Sequence, residues 1–312
     1  MPLIFSLAKK PAKAAIRAYY RARNALPIWL ALNSKAVNLH KKYRPKLDNI
    51  SERIASDLKK NGIAIAHIGE LFPGQDILAK LASEARGLEK NAGVKTNKEF
   101  LRFYFDDYPL LDLKNSFVRL ALENKILGIV NSYMGMFSKF NYFTLNKTMP
   151  QGEESKAVQS MRWHRDPEDK KMVKIFMYLN DVDDQSGPFV YIPETHYEGK
   201  WGNLFPPQPP RGSLPPPEEV KKIIPQNAIK ACAGTAGTVI FCDTRGIHRG
   251  GHAISKERIM LTLGYSSSAS MWPLRYKYPE NFRKILAETS FSPAQKYALD
   301  NFNRIGKKVY KY

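Results

Sequence analysis

With 312 residues, 43% of them hydrophobic and 12% aromatic, the chain can bury a full core, which excludes a disordered polymer. Two cysteines, Cys232 and Cys242, exclude a disulfide framework and fit a reducing, cytoplasmic compartment. The formal charge of +20 is unevenly placed: residues 1–47 carry eleven Lys or Arg and no Asp or Glu, against 38 basic and 29 acidic residues in the remainder.

No apolar run approaches the roughly 18–20 residues that span a bilayer. Basic residues 9–23 followed by apolar residues 25–32 imitate a secretory leader, but the apolar part is short and begins Ala-Leu-Pro, so the segment is read as uncleaved. Lys9, Lys13, Arg17 and Arg21 recur at i+4 and make one basic stripe on a helix. Such a stripe suits an anionic membrane surface or nucleic acid, the latter less expected, and equally a solvated basic face packed lightly on the domain.

From Asn49 the pattern turns regular. Asn49 with Glu52 reads as a capping box, Ile54 and Leu58 give an apolar stripe, and Asn61-Gly62 ends the helix. A short strand follows at Ile63–Ala66. Further amphipathic helices are expected at Pro73–Leu88, with Gly93 beyond its end, and at Leu113–Tyr133. After Gly135 the character changes: Tyr142–Thr148, Val173–Leu179, Phe189–Ile192, Thr238–Cys242 and Ile259–Tyr265 are short β-branched or aromatic runs between turn residues. This succession predicts an antiparallel barrel or sandwich, mainly β with supporting helices. Residues 206–217 hold seven prolines, an extended excursion that serves as a lid or a stiff surface loop. Beyond Met271 the text is helix-like again, with Phe282, Ile285, Leu286, Tyr297 and Leu299 as buried candidates, and the tail from Lys307 to Tyr312 is basic.

The chemistry concentrates between Met161 and Arg258. His164 and Asp166 stand two apart, so on a strand both side chains face one way, and His248 follows 84 residues later, at the end of the strand Thr238–Cys242. A lone HxD pair is a weak signal. Two imidazoles and one carboxylate in this setting suit a single Fe(II), leaving three octahedral positions open for co-substrate and dioxygen. Arg258 begins a strand just after the loop bearing His248, where pairing brings a guanidinium beside the metal face, ready to grip a dicarboxylate. Tyr142, Asn146 and Lys147 lie on a preceding strand and are candidate co-substrate contacts, although a solvent-facing lysine is the bland alternative. Arg245 and Arg249 flank His248 and either bind an anionic substrate or pair with Asp243. His252 competes for the distal ligand role but follows Gly250-Gly251 in a turn; His196 reads as a turn residue bonded to the backbone, and nothing near His40 or His67 suggests metal.

The runs WHRDPED at 163–169, KIFMYLNDVDDQSGPFVYIPETH at 174–196 and GTVIFCDTRGIHRGG at 237–251, with Arg258, resemble the phytanoyl-CoA dioxygenase family of Fe(II)/2-oxoglutarate oxygenases over roughly residues 49–270. The resemblance implies a double-stranded β-helix (jelly-roll, cupin-like) core, iron held by His164, Asp166 and His248, and 2-oxoglutarate anchored by Arg258. It divides the chain into a basic extension at 1–47, an oxygenase domain with its support helices at 48–270, and a helical extension at 271–312 packed on the same domain. The expected reaction couples oxidative decarboxylation of 2-oxoglutarate to hydroxylation of a C–H bond in a small-molecule or lipid-linked substrate. Halogenation is opposed by Asp166, since a halide needs the carboxylate's coordination position. An inactive oxygenase-like scaffold that binds nucleic acid or membrane through the basic N-terminus is the competing reading, and the intact triad opposes it. Two departures stand out. Glu194-Thr195-His196 replaces the Gly-Ser-His common in the family, and Gly250 stands where some members place a hydroxyl two residues after the distal histidine.

Overall fold

The computed structural model describes residues 10–91, 100–154, 158–208, 211–270 and 274–301. Lys9, Gly93, Met271 and the tail from Lys307 lie outside the described residues, and the side chain of Lys13 is likewise left aside. Three helices open the chain, α1 (Lys10–Asn24), α2 (Leu26–Leu32) and α3 (Ser34–Lys42). Helix α4 (Asn49–Asn61) is capped one residue earlier than expected: Asp48 is extended and its carboxylate accepts from Ser51 N at 3.0 Å, in place of an Asn49/Glu52 box. Gly62 ends α4 at φ +75°, and a side chain there would run into the Tyr191 hydroxyl. The chain then enters β1 (Ile63–His67), α5 (Ile68–Leu71), α6 (Ile77–Asn91) and β2 (Leu101–Phe103).

The single helix expected over Leu113–Tyr133 is two, α7 (Ser116–Leu122) and α8 (Asn124–Met134). Glu123 is extended at φ −56°, ψ 132°, and the Asn115 side chain caps α7. Apolar periodicity did not reveal the break because both pieces bury their stripes, Leu120 and Ala121 on one and Ile126, Ile129 and Val130 on the other. Next come β3 (Lys139–Thr148), β4 (Met172–Tyr178), β5 (Phe189–Tyr191), α9 (Pro217–Ile223), β6 (Lys230–Cys232), β7 (Thr238–Cys242), β8 (His248–Arg249), β9 (Arg258–Ser266), α10 (Phe282–Glu288) and α11 (Pro293–Leu299). The Pro-rich stretch therefore ends in the first turn of α9, where proline costs no hydrogen bond.

All strand pairings are antiparallel, in a six-stranded sheet of order β1-β7-β4-β9-β3-β2 and a three-stranded sheet of order β6-β5-β8. With 39% helix and 21% strand among the described residues the architecture is mixed α/β with antiparallel sheets, which corrects the mainly β expectation. Long helices cover the back of the large sheet, whereas β2, β5, β6 and β8 are only two or three residues long. On that back face Phe143, Leu145, Phe241, Leu261 and Leu263 are buried against α4, α7 and α8, each contributing about 1.5–3 kcal/mol of apolar burial. The front face meets the small sheet through Phe176, Tyr178, Ile240 and Met260 against Phe189 and Tyr191. Across this front, register aligns Tyr142, Gly264, Lys174 and Cys242 in one row, Asn146, Met260 and Tyr178 in another, and Thr148 with Arg258 in a third. Behind the small sheet, Val190 and Ile247 pack with Trp163 and with Val220 of α9. Among the described residues no helix is long and apolar enough to cross a membrane.

Candidate metal centre

His164 and Asp166 lie on an extended segment that lays itself along β8. His164 N donates to His248 O at 2.9 Å, His248 N returns a bond to His164 O at 3.0 Å, and Asp166 N donates to Thr244 O at 2.9 Å. Alternation turns Arg165, between the two ligands, to the opposite side. There its buried guanidinium donates to the carbonyls of Thr195, Arg245 (2.6 Å), Trp201 (3.1 Å) and Leu204 (2.7 Å), fastening the segment from behind. His248 is carried not by β7 but by its own short strand after a turn. Asp243 organises that turn, accepting Arg245 N at 2.9 Å and the Tyr133 hydroxyl at 2.6 Å, and its carbonyl accepts the Tyr191 hydroxyl at 3.0 Å. The Arg245 guanidinium donates elsewhere, to Asp169 O at 2.9 Å.

One donor atom from each of His164, Asp166 and His248 falls within 4.8 Å of the others, a grouping that suits one metal ion. Asp166 sits between the imidazoles, its carboxylate oxygens 3.9 Å from His164 Nε2 and 3.5 Å from His248 Nε2. Both Nδ1 atoms face backbone carbonyls two residues earlier, Arg162 O at 2.8 Å and Gly246 O at 2.9 Å. A carbonyl only accepts, so each Nδ1 carries a proton, and in the neutral ring the Nε2 lone pair is turned to the carboxylate. Burial, and then the neighbouring His164, push His248 down to about 3, so it is neutral at ordinary pH. Lone pairs facing a carboxylate need a cation between them, and imidazole nitrogen with carboxylate oxygen is the donor set of non-haem iron(II). The residues present fit an iron.

Two groups beside the triad, Lys174 and Glu168, lie inside the family-like runs without standing out there as site residues. Lys174 of β4 donates to Asp166 Oδ2 at 2.5 Å and to Glu168 Oε1 at 3.3 Å. Burial opposes its charge, but Asp166 and Glu168 outweigh that and raise its pKa well above the ordinary value. Asp166 responds in kind: burial alone would raise it, and the Lys174 charge is the largest of the effects that hold its carboxyl low instead. Burial, then Asp166, push Glu168 up, and its Oε2 has no hydrogen-bond partner. A lysine inside the apolar run MVKIFMY was the available clue. Lys174, Glu168, Tyr142, Asn141 and Arg275 line a small cavity next to Asp166.

Arg258 opens β9 and is 5% exposed. It donates to Gly187 O and to Thr148 Oγ1 at 3.2 Å, its Nε is unpartnered, and no acidic side chain among the described residues pairs with it. A Cβ built on Gly250 would stand 3.8 Å from its Nη2, so the hydroxyl missing at position 250 faces this guanidinium, and Thr148 supplies one from the neighbouring strand instead. Tyr142 and Asn146 share the front face with Arg258, Asn146 in the adjacent row and Tyr142 at the Lys174 end. Lys147 points the other way. Its ammonium is taken by Glu89 of α6 at 2.5 Å and Glu257 at 3.1 Å, so the sheet separates it from the triad. Arg249 turns to the outer side of the small sheet, over the Trp163 ring at 4.7 Å.

The remaining histidines are engaged with the backbone or the core. His252 Nε2 bonds Gly152 O at 2.6 Å and His196 Nε2 bonds Lys59 O at 3.1 Å. His67 caps α5, and His40 packs edge-on to Phe137. The turn before His196 explains one departure: Glu194 holds φ +61°, a left-handed conformation in which glycine carries no penalty.

The phytanoyl-CoA dioxygenase (PhyH) family profile matches residues 65–260. The chain belongs to this family of Fe/2-oxoglutarate-dependent oxygenases, with His164, Asp166 and His248 as its candidate iron site. Among solved structures it is similar to the epimerase SnoN in complex with Fe3+, alpha ketoglutarate and nogalamycin RO, at 16% identity and TM-score 0.53 over 70% of this chain and 84% of that one. It is also similar to EctD from S. alaskensis with bound Fe, at 18% identity and TM-score 0.50 over 76% of this chain and 85% of that one. At these identities the likeness is one of fold. No curated protein matches the chain.

Proposed function

We propose that the protein is an Fe(II)- and 2-oxoglutarate-dependent dioxygenase that hydroxylates a C–H bond of a small-molecule or lipid-linked substrate, with succinate and carbon dioxide as co-products. The observation that carries this reading is a buried guanidinium, Arg258, with no acidic partner among the described residues, on the large-sheet face that is covered by the small sheet bearing the three-donor metal grouping. A fully desolvated cation is costly unless an anion meets it. The far carboxylate of 2-oxoglutarate supplies one, and a planar fork with a hydroxyl beside it suits bidentate binding.

In this reading His164 Nε2, the Asp166 carboxylate and His248 Nε2 hold the iron. When bound, the metal supplies activation of dioxygen and decarboxylation of the co-substrate. The protein's part is positioning. Arg162 O and Gly246 O fix the imidazole tautomers, Lys174 locks the Asp166 carboxylate in one orientation, and Arg165 fastens the strand behind. In this reading Asn146, one row from Arg258, contacts the co-substrate, and the cavity beside Asp166 that Tyr142 lines receives the primary substrate. Apolar Phe176, Tyr178, Phe189 and Met260 keep water from the interior. We read the two facing sheets as a double-stranded β-helix spanning 48–270, extended by helices at 1–47 and 271–312, in a protein of the cytoplasm.

The test is anaerobic loading with Fe(II) followed by 2-oxoglutarate. Wild type develops a 2-oxoglutarate-dependent charge-transfer absorbance and releases succinate once dioxygen enters; His164→Ala does neither. Identical spectra for the two proteins would overturn the assignment.

A further inference from the structure

Helix α2 is apolar on every side yet lies at the surface. Trp29 is its one buried apolar side chain; Leu26, Ile28, Leu30 and Leu32 are 40–47% exposed, on both flanks of Trp29. On α1, Ile16 and Tyr19 are exposed as well, beside Arg17 and Arg21. A helix that is hydrophobic all round belongs in a core or a bilayer, and monomers rarely leave contiguous aliphatic surface uncovered.

The charge around this patch narrows what covers it. Residues 1–47 hold eleven basic and no acidic residues. A second copy of the chain would set two such surfaces against each other, which like-charge repulsion opposes. Nucleic acid would use the cations and leave the leucines in water. An anionic bilayer uses both, since basic side chains meet the headgroups while aliphatic ones enter the acyl boundary.

We propose that α1 and α2 form a docking element that seats the protein on an anionic membrane surface. The element is bolted to the oxygenase body rather than tethered to it. Trp29 Nε1 donates to Asp169 Oδ1 at 2.8 Å, Asn33 Nδ2 donates to Ser267 Oγ at 3.1 Å, and the Arg23 guanidinium donates to Ala269 O at 2.9 and 3.1 Å. Asp169 and Ser267 are the chain neighbours of Glu168 and Ser266, which line the cavity beside Asp166. Docking therefore holds that cavity at a fixed height above the bilayer, an arrangement suited to an amphiphilic substrate handed over from the membrane. The surface stands independently of the oxygenase reading; only the handover rests on it.

The experiment is co-sedimentation of the full chain with vesicles of phosphatidylcholine alone or with about 30% phosphatidylglycerol, at low and high salt. Wild type partitions onto the anionic vesicles, weakly onto the neutral ones, and less at high salt. Ile28→Asp with Leu30→Asp, both exposed, lowers partitioning about tenfold or more, with thermal unfolding unchanged. Arg17→Glu with Arg21→Glu lowers it to a similar extent and removes much of the salt dependence. Partitioning that ignores lipid charge overturns the proposal, as do variants that bind like wild type. A dimer seen by light scattering in wild type and lost in the aspartate variant would assign the patch to a second copy, and likewise overturn it.

Discussion

Two buried cations stand on the same face of the large sheet, and their surroundings are opposite. Lys174 is met by two carboxylates, Asp166 at 2.5 Å and Glu168 at 3.3 Å. Arg258, three rows along, is met among the described residues by a carbonyl and a hydroxyl. At the first end charge is balanced inside the protein, so the lysine's task is to hold Asp166. At the second no acid among the described residues balances it, and in the proposed reading the guanidinium meets the co-substrate carboxylate. Two cations largely withdrawn from water thus differ in the acids that meet them, and the proposed roles, positioning for Lys174 and binding for Arg258, follow from that difference.

The largest way to break that contrast is Lys174→Met. It leaves two buried acids without their cation and costs the metal-free protein about 3–5 kcal/mol, read by urea unfolding at neutral pH. Added Fe(II) or Mn(II) restores part of this by neutralising Asp166. A loss below about 1 kcal/mol, the worth of a surface pair, would show that the lysine is not what balances the acids. Its pH dependence has a definite sign. Asp166 is held below its ordinary value in the folded state, so its contribution is present above about pH 4 and is lost as pH falls below that. Wild-type apoprotein weakens through that window, and the Lys174→Met profile is flatter there because the effect holding Asp166 low is gone.

Arg258→Gln should behave the other way round. Stability of the apoprotein holds or rises, since a lone desolvated charge disappears, while 2-oxoglutarate binding to the metal-loaded protein weakens by about 2–5 kcal/mol in calorimetry. A variant that unfolds like Lys174→Met but still binds 2-oxoglutarate would reverse the two roles. Thr148→Val is the smallest step. It removes the hydroxyl that Arg258 Nη2 donates to and costs about 1 kcal/mol of co-substrate affinity, with catalysis otherwise intact.

The metal donors were legible because their signal is local chemistry: HxD on extended chain and a histidine on a second strand place three donors whatever surrounds them. The runs at β3, β4, β5, β7 and β9 were legible for a similar reason, through composition and flanking turns. Strands β2, β6 and β8 were not: like β5 they are too short to carry a period, but LRF, KAC and HR each hold a charged residue where β5 has the apolar run FVY. Lys147 shows the limit at the site. One residue from Asn146, it faces the opposite side of the sheet, and its partners Glu89 and Glu257 are far away in sequence.

By itself the sequence determined the family, the three-donor iron chemistry and the basic charge of the N-terminus, since residue type and order suffice for each. Only the tertiary structure decided which acids meet Lys174, that none among the described residues meets Arg258, and that the leucines of α2 are exposed while Trp29 reaches Asp169. Those facts depend on sheet register and helix docking, which bring together residues as far apart as 29 and 169, and no local pattern along the chain encodes such a pairing.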